Sequence, residues 1–272
     1  MTKTILITGS TDGIGLETAK ALASSGHTLL IHGRNKAKLA ETQRLLSSIS
    51  EAGTIESYQA DLSHMPNVEA LARAIAEKQA SLDILINNAG VFKTANPRTD
   101  DGFDLRFMVN TVAPYLLTKQ LLPLMPSDGR IINLSSAAQS TVDPDALTGK
   151  VRLDDSQAYA QSKLAITMWS FHLAQSLGDN GPAIIAVNPA SFLGSKMVKE
   201  AYGVAGNDLR VGADILIKAA LSDAFSNASG RYFDNDQHRF AEPHHDALDA
   251  RKNNHLVQTI EAMLTEINSG YA

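Results

Sequence analysis

Lys3-Thr4-Ile5-Leu6-Ile7-Thr8 runs directly into Gly9-Ser10-Thr11-Asp12-Gly13-Ile14-Gly15. The first stretch is apolar and β-branched, long enough for one buried strand. The second is a turn carrying three glycines, and it opens Leu16-Glu17-Thr18-Ala19-Lys20-Ala21-Leu22-Ala23, which has helical spacing. Strand, glycine turn and helix in that order begin a dinucleotide-binding unit. Glycine allows the tight turn and brings backbone N–H groups close to a pyrophosphate, and the helix N-terminus adds partial positive charge. The spacing is Gly-x-x-x-Gly-x-Gly, a variant of the general Gly-x-Gly-x-x-Gly fingerprint. A tight turn that holds no ligand has the same local appearance, so the rest of the chain must decide.

The 272 residues suffice for one large α/β unit, and 44% hydrophobic with 19% charged residues excludes a disordered polyelectrolyte. A net charge of -5, with no cluster of Lys or Arg, argues against nucleic acid as a partner. With no cysteine, disulfide and thiolate chemistry are excluded. Met1-Thr2-Lys3 before the first strand leaves no room for a signal peptide, and no apolar run reaches the roughly 20 residues that span a bilayer. The expectation is a cytoplasmic protein without a membrane anchor.

Short apolar strands are expected at 28–32, 54–59, 83–87, 129–134, 183–188 and 230–233. Helical patterns lie near 36–50, 66–80, 103–124, 157–178, 209–222 and 247–268. This alternation predicts a doubly wound, mainly parallel sheet of the Rossmann type, with helices on both faces. An eight-fold barrel needs a further strand and does not normally open on such a turn. With no linker or repeat, residues 1–272 read as a single domain, with a substrate-loop region at about 190–246 and a C-terminal helix at about 247–268. Regular patterning lapses at 92–102, 139–157, 190–208 and 234–246, each after an expected strand. Loops at the carboxyl ends of parallel strands line the ligand crevice.

The second strand is followed by His32-Gly33-Arg34-Asn35-Lys36, with no acidic residue between Leu29 and Ala40. An acidic residue there would bind ribose hydroxyls, whereas an arginine accommodates a 2′-phosphate. Arg34, helped by Lys36 or Lys38 and with Asn35 beside it, therefore favours NADP(H) over NAD(H). A solvated arginine at a helix start is the plainer reading of the same residue. Tyr159-Ala160-Gln161-Ser162-Lys163 places a phenol and an ammonium at i and i+4, on one helix face. A neighbouring cation favours the phenolate and lowers a phenol's pKa by roughly one to three units, which suits proton exchange with a carbonyl or alcohol. Upstream, Gly129-Arg130-Ile131-Ile132-Asn133-Leu134 ends in Ser135-Ser136, hydroxyls at a strand end.

The glycine turn, Asn87-Asn88-Ala89-Gly90, the paired serines and Tyr-x-x-x-Lys occur in the order found in the short-chain dehydrogenase/reductase family, which the chain resembles from residue 3 to about 190. That resemblance implies catalytic roles for Asn110, Ser136, Tyr159 and Lys163, with Ser135 as the alternative serine. Asn110 is implied to hold a water that links the lysine to solvent. It also implies cofactor contacts from Gly9, Ser10, Thr11, Asp12, Gly13, Ile14 and Gly15, from Asp61 and Leu62 at the adenine, and from Asn88, Ala89 and Gly90 at the ribose. Lys163 is implied to touch a ribose as well, and Tyr159 to contact the cofactor. A helix N-cap is the alternative role for Asp61. The string Ala158–Ala165 and Ser229-Gly230-Arg231-Tyr232-Phe233 are similar to the retinol-dehydrogenase and WW-domain-oxidoreductase-like branch.

One departure follows the sixth strand, in Asn188-Pro189-Ala190-Ser191-Phe192-Leu193-Gly194-Ser195. The family usually has Pro-Gly and a nearby threonine; here Ala190 replaces the glycine, and Pro189 and Ser191 remain as the cofactor contacts, with Ser195 the only hydroxyl near the threonine's place. Phe92, Phe192, Leu193, Met197 and Tyr202 point to an apolar substrate pocket. The spacer Gln139–Gln157, with Pro144, Gly149 and four aspartates, reads as an exposed flap. His238, His244 and His245 lack metal-ligand spacing, and no metal is expected. The expected partner is a small carbonyl or alcohol substrate, with a homo-oligomer left open. The expected activity is NADP(H)-dependent interconversion of carbonyl and alcohol; a non-catalytic NADP-sensing protein and an epimerase, dehydratase or lyase are the alternatives.

Overall fold

The computed structural model describes residues 2–270; the side chain of Tyr202 lies outside the described set. The chain opens as β1 (Thr4–Ile7), α1 (Gly13–Ala23), β2 (Thr28–Gly33), α2 (Lys36–Ser47), β3 (Ile55–Gln59), α3 (Met65–Lys78) and β4 (Ile84–Asn87). A long helical stretch follows in three parts: α4 (Leu105–Phe107), a π-helical turn (Met108–Val112) and α5 (Ala113–Leu121). Next come β5 (Arg130–Leu134), α6 (Pro144–Leu147), α7 (Asp155–Leu177) and β6 (Ala183–Asn188). The chain finishes as α8 (Lys196–Tyr202), α9 (Leu209–Leu221), β7 (Arg231–Asp234), β8 (Arg239–Ala241) and α10 (Ala250–Gly270).

All eight strands join one sheet in the order β3-β2-β1-β4-β5-β6-β7-β8. Every neighbouring pair is parallel except β7 with β8, which is antiparallel. Successive residues of each strand feed two separate cores. Leu6, Leu30, Leu85, Ile131 and Ile184 face the layer containing α3, α5, α7 and α10. Ile5, Ile7, Leu29, Ile31, Ile86, Ile132 and Ile185 face the layer containing α1, α2 and α9. A sheet covered on both faces needs unbroken apolar strands, which is why those runs do not alternate with polar residues. Each fully buried Ile or Leu contributes about 1.5–3 kcal/mol through removal of its surface from water.

Strand order reverses between β1 and β4, and loops diverge there to leave a crevice at the carboxyl ends. The strands expected from the sequence are present. Three features were not foreseen: β8, the short α8 and the π turn. The spacer 139–157 differs from expectation. Asp143 caps α6 by accepting from the Asp145 N–H at 2.9 Å, and Pro144 occupies its first turn. That single turn points Ala146 and Leu147 inward, where both are buried in the core beside α7. Arg98 then pins the end of the turn by donating to the Gly149 carbonyl at 2.7 Å. The spacer is thus anchored by a core plug and is exposed only on either side of it.

Candidate active site

The crevice holds a cavity of about 570 Å³ that extends from Arg34 and Asp61, past the glycine turn, to Tyr159 and Lys163. Gly9 has φ +65°, and a Cβ there would stand 2.9 Å from the Ala89 backbone. A Cβ on Gly15 would stand 2.4 Å from the Asn88 amide nitrogen, so the turn must be glycine to lie this close to β4. Thr11, Asp12, Gly13 and Ile14 also border the cavity at the start of α1, and Asp12 caps that helix by accepting from the Gly13 N–H at 2.8 Å. Ser10 is different. Its buried hydroxyl donates to the His32 carbonyl at 3.2 Å and accepts from the His32 N–H at 2.9 Å, tying the turn to β2 and leaving it outside the cavity wall.

His32 is a further participant that sequence reading passed over. Its Nδ1 accepts from the Gly9 N–H at 3.2 Å, and its Nε2 lies 3.1 Å from the Ala60 carbonyl, which assigns the ring proton to Nε2. Burial is the main cause of a pKa lowered to about 4, so the ring is neutral at pH 7. It bridges the ends of β1, β2 and β3. Beyond it, Arg34 is exposed and borders the cavity, and Asn35 caps α2 by accepting from the Lys38 N–H at 3.0 Å. Lys38 also borders the cavity and sits 3.6 Å from Asp12; Lys36 does not line it. Leu62 and Asp61 close this end. Asp61 accepts from the Ser63 N–H at 2.9 Å and hydroxyl at 2.7 Å, while α3 begins after His64, which makes no side-chain cap bond. Burial raises the Asp61 pKa, but the Ser63 bonds, with His64 and Arg34 nearby, outweigh it and keep the carboxylate ionised.

The amides after β4 join strand ends, as their position suggests. Asn87 donates to Asn133 at 2.8 Å and Thr118 at 3.1 Å, and Asn133 donates to Ser170 at 2.7 Å. Asn88 donates to the carbonyls of Thr8 and Gly9 at 2.8 and 3.0 Å. Thr8 in turn accepts the N–H groups of Asn88 and Ala89, both at 3.0 Å. Asn88, Ala89 and Gly90 are thereby held as one wall of the cavity.

At the far end α7 presents Tyr159 and Lys163 to the same space. The Phe92 ring lies 4.7 Å from the Tyr159 ring, and the Lys163 ammonium 5.7 Å from it. Lys163 is buried and donates to the Leu134 carbonyl at 2.7 Å; burial lowers its pKa to about 8. The two serines diverge. Ser135 is buried against α7, bonded to Thr167 at 2.7 Å and to the Lys163 carbonyl at 3.2 Å. Ser136 is half-buried and accepts from the Ala138 N–H at 3.1 Å; it stands next to the cavity wall without lining it. Asn110 sits in the π turn, fully buried. Its amide accepts from the Val91 N–H at 2.8 Å and donates to the Val91 carbonyl at 3.0 Å and to Ser162 at 2.9 Å. Both polar side-chain atoms of Asn110 are thus bonded within the protein.

The loop after β6 departs from expectation. Pro189 borders the cavity, as does Ser195, whose hydroxyl accepts from the Val198 N–H at 3.3 Å and caps α8. Ser191 points elsewhere: its hydroxyl and N–H both bond Asp236, at 2.7 and 2.8 Å, outside the cavity wall. Ala190 adopts φ +125°. Of the apolar residues expected at the substrate, Phe92 and Met197 line the cavity, Leu193 is buried, and Phe192 is 54% exposed.

Away from this site, His244, His245 and Asp246 bring ligand-type atoms within 4.8 Å of one another. Lys252 already sits on the Asp246 carboxylate, and His244 Nδ1 accepts from the Asp246 N–H at 3.2 Å. A second cavity of about 460 Å³ lies between the spacer and α10, walled by Leu147, Met168 and Leu256 and remote from the glycine turn. Among the described residues, no helix is long and apolar enough to cross a membrane.

A family model described as short chain dehydrogenase matches residues 3–203. Human retinol dehydrogenase 13 is 30% identical over 251 residues, covering 85% of this chain and 76% of its own. The chain also superimposes on an uncharacterised protein from Mycobacterium paratuberculosis (25% identity, TM-score 0.79, covering 96% of this chain and 92% of that one). The angucycline C-6 ketoreductase LanV with bound NADP is similar as well, at 27% identity and TM-score 0.69, covering 86% of this chain and 93% of that one. With nearly three-quarters of its length matched by the family model and its sheet, crevice and motifs in that family's order, the chain belongs to the short-chain dehydrogenase/reductase family of oxidoreductases and resembles its retinol-dehydrogenase branch.

Proposed function

We propose that the protein is an NADP(H)-dependent oxidoreductase that interconverts a carbonyl and an alcohol on a small apolar substrate. The observation that carries this reading is the shared cavity: Tyr159 and the buried Lys163 open into the space bounded by the glycine turn and Arg34. The cavity suits a dinucleotide because the start of α1 offers backbone donors to a pyrophosphate and glycines leave room for close approach. Arg34 and Lys38 border the adenosine end with no acidic residue on that turn, which supports NADP(H) over NAD(H). The bound NADP in LanV supports the same choice.

When bound, the nicotinamide dinucleotide supplies or accepts the hydride. Tyr159 gives its hydroxyl proton to the carbonyl oxygen during reduction and takes it back from the alcohol during oxidation. The Lys163 ammonium favours the phenolate through its charge and is aimed by its bond to Leu134. Ser136 accepts from Ala138, which leaves its own O–H to reach the substrate oxygen from beside the cavity wall, where Ser135 is the serine that lines it. Asn110 braces Val91 in the cavity wall and, through Ser162, the Tyr159 carbonyl. Phe92 and Met197 offer apolar surface that sheds water from the reacting oxygen.

The test is a panel of aldehydes, ketones and secondary alcohols assayed with each cofactor by nicotinamide absorbance. Net oxidation or reduction by the wild type, lost in Tyr159→Phe, is the expected result. Binding of NADPH without redox change on any member of the panel would leave the sensing alternative, and conversion of a substrate at constant nicotinamide absorbance the epimerase or lyase alternative.

A further inference from the structure

Ala190 occupies a backbone conformation, φ +125°, that L side chains rarely adopt and that glycine adopts freely. Such a conformation persists only where its surroundings over-determine it. The surroundings here come from the turn between β7 and β8, some forty-five residues further along the chain. Asp236 accepts the Ser191 N–H at 2.8 Å, the Ser191 hydroxyl at 2.7 Å and the Asn188 amide at 2.9 Å. Asn235, buried, donates to the Pro189 carbonyl at 2.9 Å, and its own N–H donates to the Asn188 carbonyl at 3.1 Å. Asp234 accepts a further bond from the Asn188 amide at 2.9 Å. Each residue flanking Ala190 is therefore bonded to this turn, and the bonds end where Pro189 enters the wall of the large cavity.

We propose that Asp236 is a positioning residue for the cofactor: acting through Ser191 and Asn188, it holds the Pro189–Ala190 segment in the shape that completes the cavity wall. The inference rests on the dinucleotide reading given above. A carboxylate is suited to the task because it accepts several bonds from one loop at once, and charge-assisted bonds are the stronger kind. Burial raises the Asp236 pKa, but the bonds from Ser191 and Asn188, with His238 nearby, hold it below the ordinary carboxylate value, so the grip persists through neutral pH. Because an alanine stands where the backbone favours glycine, grip and strain are coupled: without Asp236 the segment relaxes, and with glycine at 190 the same shape costs less.

The test is a double-mutant cycle on the full chain, with NADPH affinity read by fluorescence titration and folding by thermal melt. Asp236→Ala is expected to weaken NADPH by about tenfold or more, the loss of charge-assisted bonds. Ala190→Gly in that background should recover at least about fivefold, and clearly more than the change it makes in the intact chain. Ser191→Ala removes only the hydroxyl, and with it one bond to Asp236, and should weaken NADPH by about threefold; it decides the matter if Asp236→Ala does not fold. Unchanged NADPH affinity in Asp236→Ala, or an equal effect of Ala190→Gly in both backgrounds, overturns the inference alone. A wild type that binds neither NADPH nor NADH overturns the dinucleotide reading and the inference with it.

Discussion

The Gly9 N–H is held 3.2 Å from Nδ1 of His32, so the first turn of the dinucleotide crevice leans on an imidazole from the next strand. The other ring nitrogen donates to the Ala60 carbonyl at 3.1 Å, and it is the Gly9 contact, in which Nδ1 accepts, that requires a neutral ring. An unfolded histidine takes up its proton near pH 6.5, whereas burial delays this in the folded chain to about 4. The unfolded state thus binds more protons across that window, and stability present above pH 6.5 is lost as pH falls towards 4. The loss amounts to about 3 kcal/mol, at 1.36 kcal/mol per pH unit. Urea melts at pH 7 and 4.5 should show it, and His32→Gln should flatten the difference. An equal acid sensitivity in the variant contradicts this account.

Tyr159→Phe should lower turnover by more than tenfold while leaving NADPH affinity nearly unchanged, since only the hydroxyl is removed. Steady-state kinetics beside a binding titration separate the two. Retention of more than about a tenth of wild-type turnover removes Tyr159 from proton transfer.

Lys163 has its pKa lowered from 10.5 to about 8 by burial, so its ammonium is lost as pH rises through 8. Activity that depends on the charge should fall over the same range in a kcat/KM profile. Stability should move the opposite way: between 8 and 10.5 the unfolded chain binds the extra proton, and resistance to unfolding rises with pH. A flat alkaline limb would show that the charge is not used.

Arg34→Asp should reverse cofactor choice by at least tenfold in the NADP/NAD affinity ratio. A guanidinium grips a 2′-phosphate through charge-assisted bonds, at roughly 1.5–3 kcal/mol each, and NAD offers only hydroxyls there. Lys38, also at the cavity edge, cushions a change to alanine, which makes the aspartate the sharper test. An unchanged ratio would leave Arg34 as a solvated helix-start residue.

Leu147→Ala should cost about 2–5 kcal/mol in a urea melt, as for a core leucine. Val151→Ala, four residues on and 42% exposed, should stay within about 0.5 kcal/mol. Equal small effects would return the whole spacer to the status of a loose flap.

The sheet was legible because strands buried on both faces leave long apolar runs, and the glycine turn was legible because its spacing is dictated by the close approach of Asn88. The spacer misled because Pro144 and its aspartates are turn formers that here cap a helix, and its apolar contacts with the core, Ala146 and Leu147 buried and Val142 and Leu153 partly so, are too sparse to show a period. The strand β8 is three residues, too short for any period to register. Ser191 could not be separated from a cofactor contact because its partner, Asp236, is distant in sequence. His32 was hidden by its neighbours: the same turn carries Arg34, whose charge drew the reading. The π turn around Asn110 has no sequence signature, since it is one extra residue in an otherwise helical pattern.

The antiparallel β8 has a consequence for how the molecule behaves among its own copies. A parallel sheet that ended at β7 would present a bare row of backbone donors and acceptors, a template on which another chain could add a strand. The chain reverses instead into a strand of three residues, with Arg239 exposed at its start and the Arg231 guanidinium resting 4.0 Å from the Phe240 ring. So short an edge, flanked by two cations, offers little length for pairing and repels an identical edge. The turn that holds Pro189 and Ser191 therefore also shortens the open side of the sheet.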